Sequence, residues 1–325
     1  MIFLARLSDL LSDPRMPYFI PCVKLKQRSK ALSNVDIPDK SPLLIALTFD
    51  VEYDFGSSAR EASLDAVEPF LQQLPALAEE WQAAFTLFVQ GDIVERFTQL
   101  LLNLQPRHEI GLHGYAHELW GKVKWFLPKK PISYDTKKML LEESLKAFST
   151  SHLAMPVSFR APDLVADTDT LQLLEEQGFL VDSSAPSYYG IPPLPARPLG
   201  TTSALLSIPI TAAPDPRIRT RYFLPFAAYE VFNMAWLATA SDHQFLNYVN
   251  EVLSFQMSAG TKPHLVFMAH PWEFKEWTEK KRYDYCSRDN YELLHRKLQL
   301  LKERYQLKYV CLKELAQLLD SKQDG

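Results

Sequence analysis

From residue 43 onward, hydrophobic and polar positions fall into two alternating patterns. Residues 43–49 form a continuous apolar run of strand length, and residues 62–81 follow a helical period with Pro75 as a kink. A second strand is predicted at 84–89 and a helix from about 92 to 104. Further short strands are predicted at 109–112, 157–159, 179–181, 205–209, 264–269 and 307–311. Helical segments at 136–149, 167–177, 242–258 and 291–304 lie between most of them. Strands alternating with helices in this way predict a parallel sheet joined by crossover connections. Residues 1–40 carry no sustained period, only scattered prolines and basic residues at 24–30, and read as an N-terminal extension to a domain spanning 41–325. No repeat of 20–50 residues recurs, which excludes a solenoid.

The polar residues that follow the strands choose between a barrel and an open doubly wound sheet. Asp50 follows the first strand, His113 the third, Arg160 the fourth, Asp182 the fifth and His270 the penultimate one. A (β/α) barrel gathers such residues from many strand ends at one mouth, whereas an open sheet concentrates them at a switch point. No glycine-rich phosphate loop follows the first strand, so a dinucleotide-binding reading fails. The pattern favours the barrel.

Composition narrows the function classes. The chain is 47% hydrophobic and 23% charged with a formal charge of −4, which is ordinary for a globular protein and offers nucleic acid no general attraction. Cys22, Cys286 and Cys311 form neither a metal-binding CxxC nor a disulfide framework. The apolar run at the N-terminus is too short for a signal peptide. Together these predict a cytoplasmic location. The apolar stretch 222–240, broken by Pro225, Glu230 and Asn233, reads as a buried or lid helix, or one in peripheral contact with a membrane, rather than a span.

Candidate chemistry centres on His113-Gly114-Tyr115-Ala116-His117. Were this segment helical, both imidazoles would project from one face and meet one divalent ion, for which zinc and its first-row neighbours are suited. Asp50, Glu52 and Asp54 occupy alternate positions just beyond the first strand and share one face if extended. One such acid can hold the metal while another acts as general base toward the attacking water. Arg160 is suited to pair with that base, and His270 to act as general acid with Asp182 orienting it and raising its pKa. His108, His152, His243, His264 and His295 lack comparable company and read as structural.

In this order the pieces resemble the polysaccharide deacetylase family, also called the NodB homology domain. Thr48-Phe49-Asp50-Val51-Glu52 resembles its first motif, His113 to His117 its second, Arg160-Ala161-Pro162 its third, Val181-Asp182-Ser183 its fourth and Ala269-His270-Pro271 its fifth. The resemblance covers roughly residues 43–320. It implies an α/β fold, a deformed (β/α) barrel of about seven parallel strands. It also implies metal-dependent removal of an N-acetyl or similar acyl group from an amino-sugar-containing glycan or glycan precursor. On that resemblance Asp50 is the base, Glu52, His113 and His117 bind the metal, and His270 protonates the departing nitrogen. The metal acid stands two positions after Asp50 and is a Glu, so Asp54 stays open as the third ligand. Trp120, Trp125, Pro162 and Trp272 are expected to contact substrate. With Lys122, Lys124, Lys129 and Lys130, the tryptophans after the histidine pair also allow a deformylase or deacetylase acting on a lipid-linked amino sugar at a membrane surface. A non-catalytic carbohydrate-binding barrel is a third reading. A two-histidine iron oxygenase is disfavoured, because the nearest acid, Glu118, adjoins the second histidine.

Overall fold

The computed structural model describes residues 37–38, 40–56, 63–121, 130–184, 194–212, 217–218, 227–228, 231–278 and 284–320. The first apolar run becomes β1 (Pro42–Val51), buried at every position after Pro42. Such a strand is covered on both faces, the usual state of a parallel sheet. The later strands are β2 (Phe85–Val89), β3 (Glu109–Leu112), β4 (Ser158–Phe159), β5 (Val181–Asp182), β6 (Leu206–Ser207), β9 (His264–Ala269) and β10 (Gln306–Tyr309). A separate antiparallel pair joins β7 (Arg217–Ile218) to β8 (Ala227–Ala228). Seven strands run parallel in the order β9-β1-β2-β3-β4-β5-β6, and β10 lies beside the first half of β1.

The seam between β6 and β9 is filled by irregular backbone. The Thr211 N–H donates to the Val266 carbonyl at 3.1 Å, and the Met268 N–H to the Phe232 carbonyl at 3.1 Å. The result is the deformed (β/α) barrel of seven parallel strands that the sequence predicts.

The packed helices are α1 (Val67–Trp81), α2 (Thr98–Leu104), α3 (Tyr134–Thr150), α4 (Thr168–Glu176), α5 (Met234–Leu237), α6 (Asp242–Ser258), α7 (Asn290–Arg304) and α8 (Leu312–Asp320). Helix α1 turns one stripe inward, with Val67, Phe70, Leu71, Leu74, Leu77, Ala78 and Trp81 buried. Phe49 of β1 meets Phe70, Phe85, Phe267 and Phe274 at ring separations of 5.0, 5.6, 6.2 and 6.0 Å, so strand and helix share one core. Side-chain caps start α3, α4 and α6. Ser133 accepts from the Thr136 N–H, Asp167 from Thr170, and Ser241 from Gln244 in a capping box.

Below the site, β3 opens on a buried polar floor. The Glu109 carboxylate accepts from the Ser158 hydroxyl, from Thr86 Oγ1 at 3.1 Å and from the Lys313 N–H at 2.9 Å, tying three strands to the start of α8. His108 lies flat on Phe85, 5.1 Å between centroids, and accepts that residue's N–H.

Three expectations need correction. The helix predicted over 62–81 starts at Val67, because the Asp54 N–H donates to the Ser63 carbonyl and the Asp65 N–H to the Asp54 carboxylate, holding residues 63–66 in a turn. The segment 92–104 begins with two 3-10 turns, Gly91–Ile93 and Glu95–Phe97, before α2. Within 222–240, the described residues 231–240 do not form one long helix. Val231 and Asn233 pair with Ala212 and Met268 across the barrel seam, and the Asn233 side chain then caps the single turn of α5. No helix among the described residues is long and apolar enough to cross a membrane. Most of the extension 1–40, and Trp125 with Lys122, Lys124 and Lys129, lies outside the described residues.

Candidate metal centre and active site

Three buried donors converge at the mouth. Glu52 leaves β1, His113 leaves β3, and His117 follows four residues later; their ligand atoms all lie within 4.8 Å of one another. Glu52 Oε2 stands 3.1 Å from Nε2 of both histidines. His113 Nδ1 lies 2.9 Å from the Arg160 carbonyl oxygen, which can only accept, so Nδ1 carries the proton. In a neutral His113 the Nε2 lone pair then faces the carboxylate oxygen. Two such electron-rich groups at 3.1 Å repel unless a cation, proton or metal, lies between them. The separation is close to the roughly 3.3 Å between ligands of a tetrahedral ion with bonds of about 2.0–2.1 Å. The donor set fits a divalent first-row metal. Burial acts to raise the Glu52 pKa, but the His117 charge, hydrogen bonds from both histidines and the His270 charge outweigh it and hold the carboxyl well below its ordinary range.

The histidine loop is not helical, against the geometry expected from the four-residue spacing. Gly114 and His117 both adopt left-handed backbone, at φ 64° each, and the Glu118 carboxylate accepts from the Tyr115 and Ala116 N–H groups at 3.2 and 2.9 Å. A turn folded on its own carboxylate, rather than one helical face, brings His117 round to Glu52. The left-handed conformation costs a non-glycine residue such as His117 about 1–2 kcal/mol. At position 114 a Cβ would lie 2.7 Å from Trp120 Nε1 and 3.0 Å from Pro162, so only glycine fits.

Beside the trio is a second, paired set. Arg160, fully buried, donates through Nη1 to Asp50 Oδ1 at 2.7 Å and through Nη2 to Ser183 Oγ at 2.9 Å, and lies 4.3 Å over the Phe88 ring. Burial lowers the guanidinium pKa, while the Asp50 and Asp182 carboxylates oppose that shift. His270 Nε2 stands 3.6 Å from Glu52 Oε1 and 4.0 Å from Asp50 Oδ2. Its Nδ1 lies 3.1 Å from Glu273 Oε2, and its ring stacks on Trp272 at 4.7 Å. Burial pulls the His270 pKa down, but Glu273 first, then Glu52 and Asp50, raise it to about 9.

The structure brings Asp50, Glu52, His113, His117, Arg160 and His270 together. Other expected residues stand elsewhere. Asp54 is engaged by the Ser63 hydroxyl and the Asp65 N–H in its own turn and is absent from the trio. Among the described residues no ion pair joins Asp182 to His270; the Asp182 oxygens accept from the Ser184 N–H at 3.0 Å and Ser207 Oγ at 3.1 Å, and burial pushes its pKa up. Trp120 is fully buried against Phe159, a core residue rather than a sugar platform. Pro162 is likewise buried, behind Gly114. Trp272, 5% exposed, braces the His270 ring.

Sequence reasoning missed Glu273, Ser183 and Glu118 as site residues, and Gly56. Glu273 follows His270 by three residues with proline between, a spacing that resembles a capping box. Gly56, at φ 64°, brings backbone so close to the trio that a Cβ there would lie 3.4 Å from His117 Nε2.

The fold and the ordered motifs resemble those of the polysaccharide deacetylase family. Residues 38–181 match the family model described as Polysaccharide deacetylase, which bears out the resemblance read from the motifs. His270 and Glu273 lie beyond the matched residues. A stretch of 100 residues is 36% identical to the Peptidoglycan deacetylase-like protein of Gibberella zeae, covering 30% of this chain and 27% of that one. Among solved structures, the fold is similar to a Mycobacterium smegmatis protein assigned to the polysaccharide deacetylases, with a TM-score of 0.57 and 19% identity over 88% of this chain and 92% of that one. It is similar also to PuuE allantoinase, with a TM-score of 0.55 and 14% identity over 87% and 93%. One fold therefore hosts proteins of different names, and the barrel alone does not select a substrate.

Proposed function

We propose that this protein is a metal-dependent hydrolase that removes an N-acetyl or similar acyl group from an amino-sugar-containing glycan or its precursor. The observation that carries this reading is the buried Glu52–His113–His117 trio lying beside the Asp50–Arg160 pair and His270. Glu52, His113 and His117 would hold the ion. A divalent ion there supplies Lewis acidity toward the acyl oxygen and the attacking water.

The remaining work belongs to the chain's own side chains. Asp50, fixed through Oδ1 by Arg160, accepts the proton of the attacking water. His270, whose Nε2 faces both Asp50 and Glu52, delivers a proton to the leaving nitrogen. Burial of every member except the partly accessible His270 excludes bulk water from the charges and strengthens their pairing. A non-catalytic binding barrel would not need a buried base and ligand trio held beside a histidine acid in this way. For the membrane-surface reading, the described residues 231–240 offer no long apolar helix.

The test is acetate release from an N-acetylated amino-sugar oligomer. Release should stop on chelation, return with added zinc or another first-row divalent ion, and fall roughly 10²–10⁴-fold in Asp50→Asn with metal still bound. Turnover that survives complete chelation, or no release from any acylated amino sugar by metal-loaded protein, would refute the reading.

A further inference from the structure

Which carboxylate sets the His270 ring decides how that residue can act, and the geometry names one that the motif order does not. We infer that Glu273 is the positioning residue of His270, and that Asp182 serves the Arg160–Asp50 side of the site instead. The inference rests on the hydrolase reading above for its chemistry and on the contacts around His270 for its geometry.

One oxygen of Glu273, Oε2, takes both the His270 N–H at 2.7 Å and Nδ1 at 3.1 Å, so it grips ring and backbone of the same residue. The other oxygen takes the Tyr285 hydroxyl at 2.8 Å. The Glu273 main-chain carbonyl accepts from Asn290 Nδ2 at 2.7 Å, and that amide also donates to the Tyr285 carbonyl at 3.0 Å. Glu273 is 3% exposed, and Pro271 stiffens the chain between the two residues. With Trp272 stacked on its face, the imidazole is fixed at one edge and one face.

A carboxylate only accepts, so Nδ1 carries a proton and Nε2 alone is presented to Glu52 and Asp50. In the reaction, the Nε2 proton passes to the leaving nitrogen as the C–N bond breaks and its electron pair goes to that nitrogen. The Nδ1 proton stays on the ring, donated in a hydrogen bond to Glu273. Among the described residues no ion pair joins Asp182 to His270. Asp182 sits next to Ser183, the acceptor of Arg160 Nη2, and its charge acts on Arg160.

The test compares two substrates carrying the same acetyl group: an N-acetyl amino sugar, whose nitrogen must be protonated to leave, and an aryl acetate, whose phenolate need not be. Glu273→Gln should lower the amide-to-ester rate ratio roughly 10- to 100-fold with metal content unchanged. Tyr285→Phe, which keeps its ring, should lower the ratio a few-fold, on the order of one lost hydrogen bond. Asp182→Asn should lower both rates together, because base and water serve both substrates. A ratio unmoved by Glu273→Gln, or moved selectively by Asp182→Asn, overturns the inference.

A spectroscopic arm separates this inference from the hydrolase reading. In protein with 15N-labelled histidine, the hydrogen-bonded His270 Nδ1–H resonance should vanish in Glu273→Gln and persist in Asp182→Asn. Its persistence in Glu273→Gln would refute the Glu273 assignment even for a protein with no turnover. A wild-type protein inactive on both substrates but showing the expected resonance would sink the hydrolase reading alone.

Discussion

Replacing Arg160 by methionine tests the paired core of the site most directly. Arg160 is fully buried, and the substitution removes the 2.7 Å bond to Asp50, the 2.9 Å bond to Ser183 and the contact over Phe88, while preserving most of the side-chain volume. What remains is a carboxylate, 2% exposed, beside Glu52 with no guanidinium to balance it. Breaking a buried pair on one side typically costs about 3–5 kcal/mol. At roughly 2–4 °C per kcal/mol for a domain of comparable size, the melting temperature should fall on the order of 10 °C. The measurement is denaturant and thermal unfolding in the presence of chelator, since a bound cation would offset part of the exposed charge. The double variant Asp50→Leu/Arg160→Met removes both charges and should recover more than half of the loss, because a buried pair replaced by apolar groups is often close to neutral. A loss below about 1 kcal/mol in Arg160→Met, or a double variant whose losses simply add, would show that the two charges are not a buried, mutually compensating pair.

Other expected outcomes follow from the same geometry. His113→Ala and His117→Ala should each lose metal and activity together, and chelation of wild type should lower stability by roughly 4 kcal/mol where free metal stands near 1,000 times its Kd; equal metal content in the variants, measured by elemental analysis, contradicts the trio. His264, whose pKa burial lowers to about 4 despite its bond to the Lys262 carbonyl, carries stability that is present above its unfolded value near 6.5 and is lost as pH falls toward 4. His264→Gln should therefore gain on wild type by roughly 3 kcal/mol between pH 7 and pH 4, and parallel denaturation curves across that range would disprove it. Asp92 requires the comparison to be relative, because burial raises its pKa to about 6 and favours the fold in the opposite direction. Glu109→Ala leaves the Ser158 and Thr86 hydroxyls and the Lys313 N–H without their acceptor and should cost more than about 3 kcal/mol with metal content unchanged; calorimetry showing under 1 kcal/mol would deny the floor its role.

The barrel was legible because its strands are buried on both faces and its reactive residues come at strand ends. β3 (Glu109–Leu112) and β9 (His264–Ala269) fall where the apolar runs place them, as does α6 (Asp242–Ser258). Error entered where hydrophobicity and backbone conformation part company. Residues 222–240 are apolar enough for a helix, yet residues 231–233 spend their backbone hydrogen bonds on the seam with Thr211 and Met268. An apolar run says that a segment is covered, and a tertiary partner decides whether it is covered as helix or as edge.

The site divides along the same line, between what residue type fixes and what three-dimensional placement fixes. The donors Glu52, His113 and His117 were legible because ligand chemistry admits few residue types, but their means of convergence was not. HxxxH suggested a helical face, while the chain uses two left-handed residues and a carboxylate at Glu118, a device with no apolar period to betray it. Trp120 shows the reverse error: an aromatic near a candidate site looks like a sugar platform, and only burial reveals it as the packing partner that leaves no room for a Cβ at Gly114. The His270 partner is the most instructive case. Motif order pointed to Asp182 across the barrel, whereas a carboxylate three residues away reaches both ring and backbone with far less chain to order. A local acid three residues beyond a strand-end histidine, with proline fixing the turn, is therefore a better first choice of partner than a distant acid chosen by motif rank.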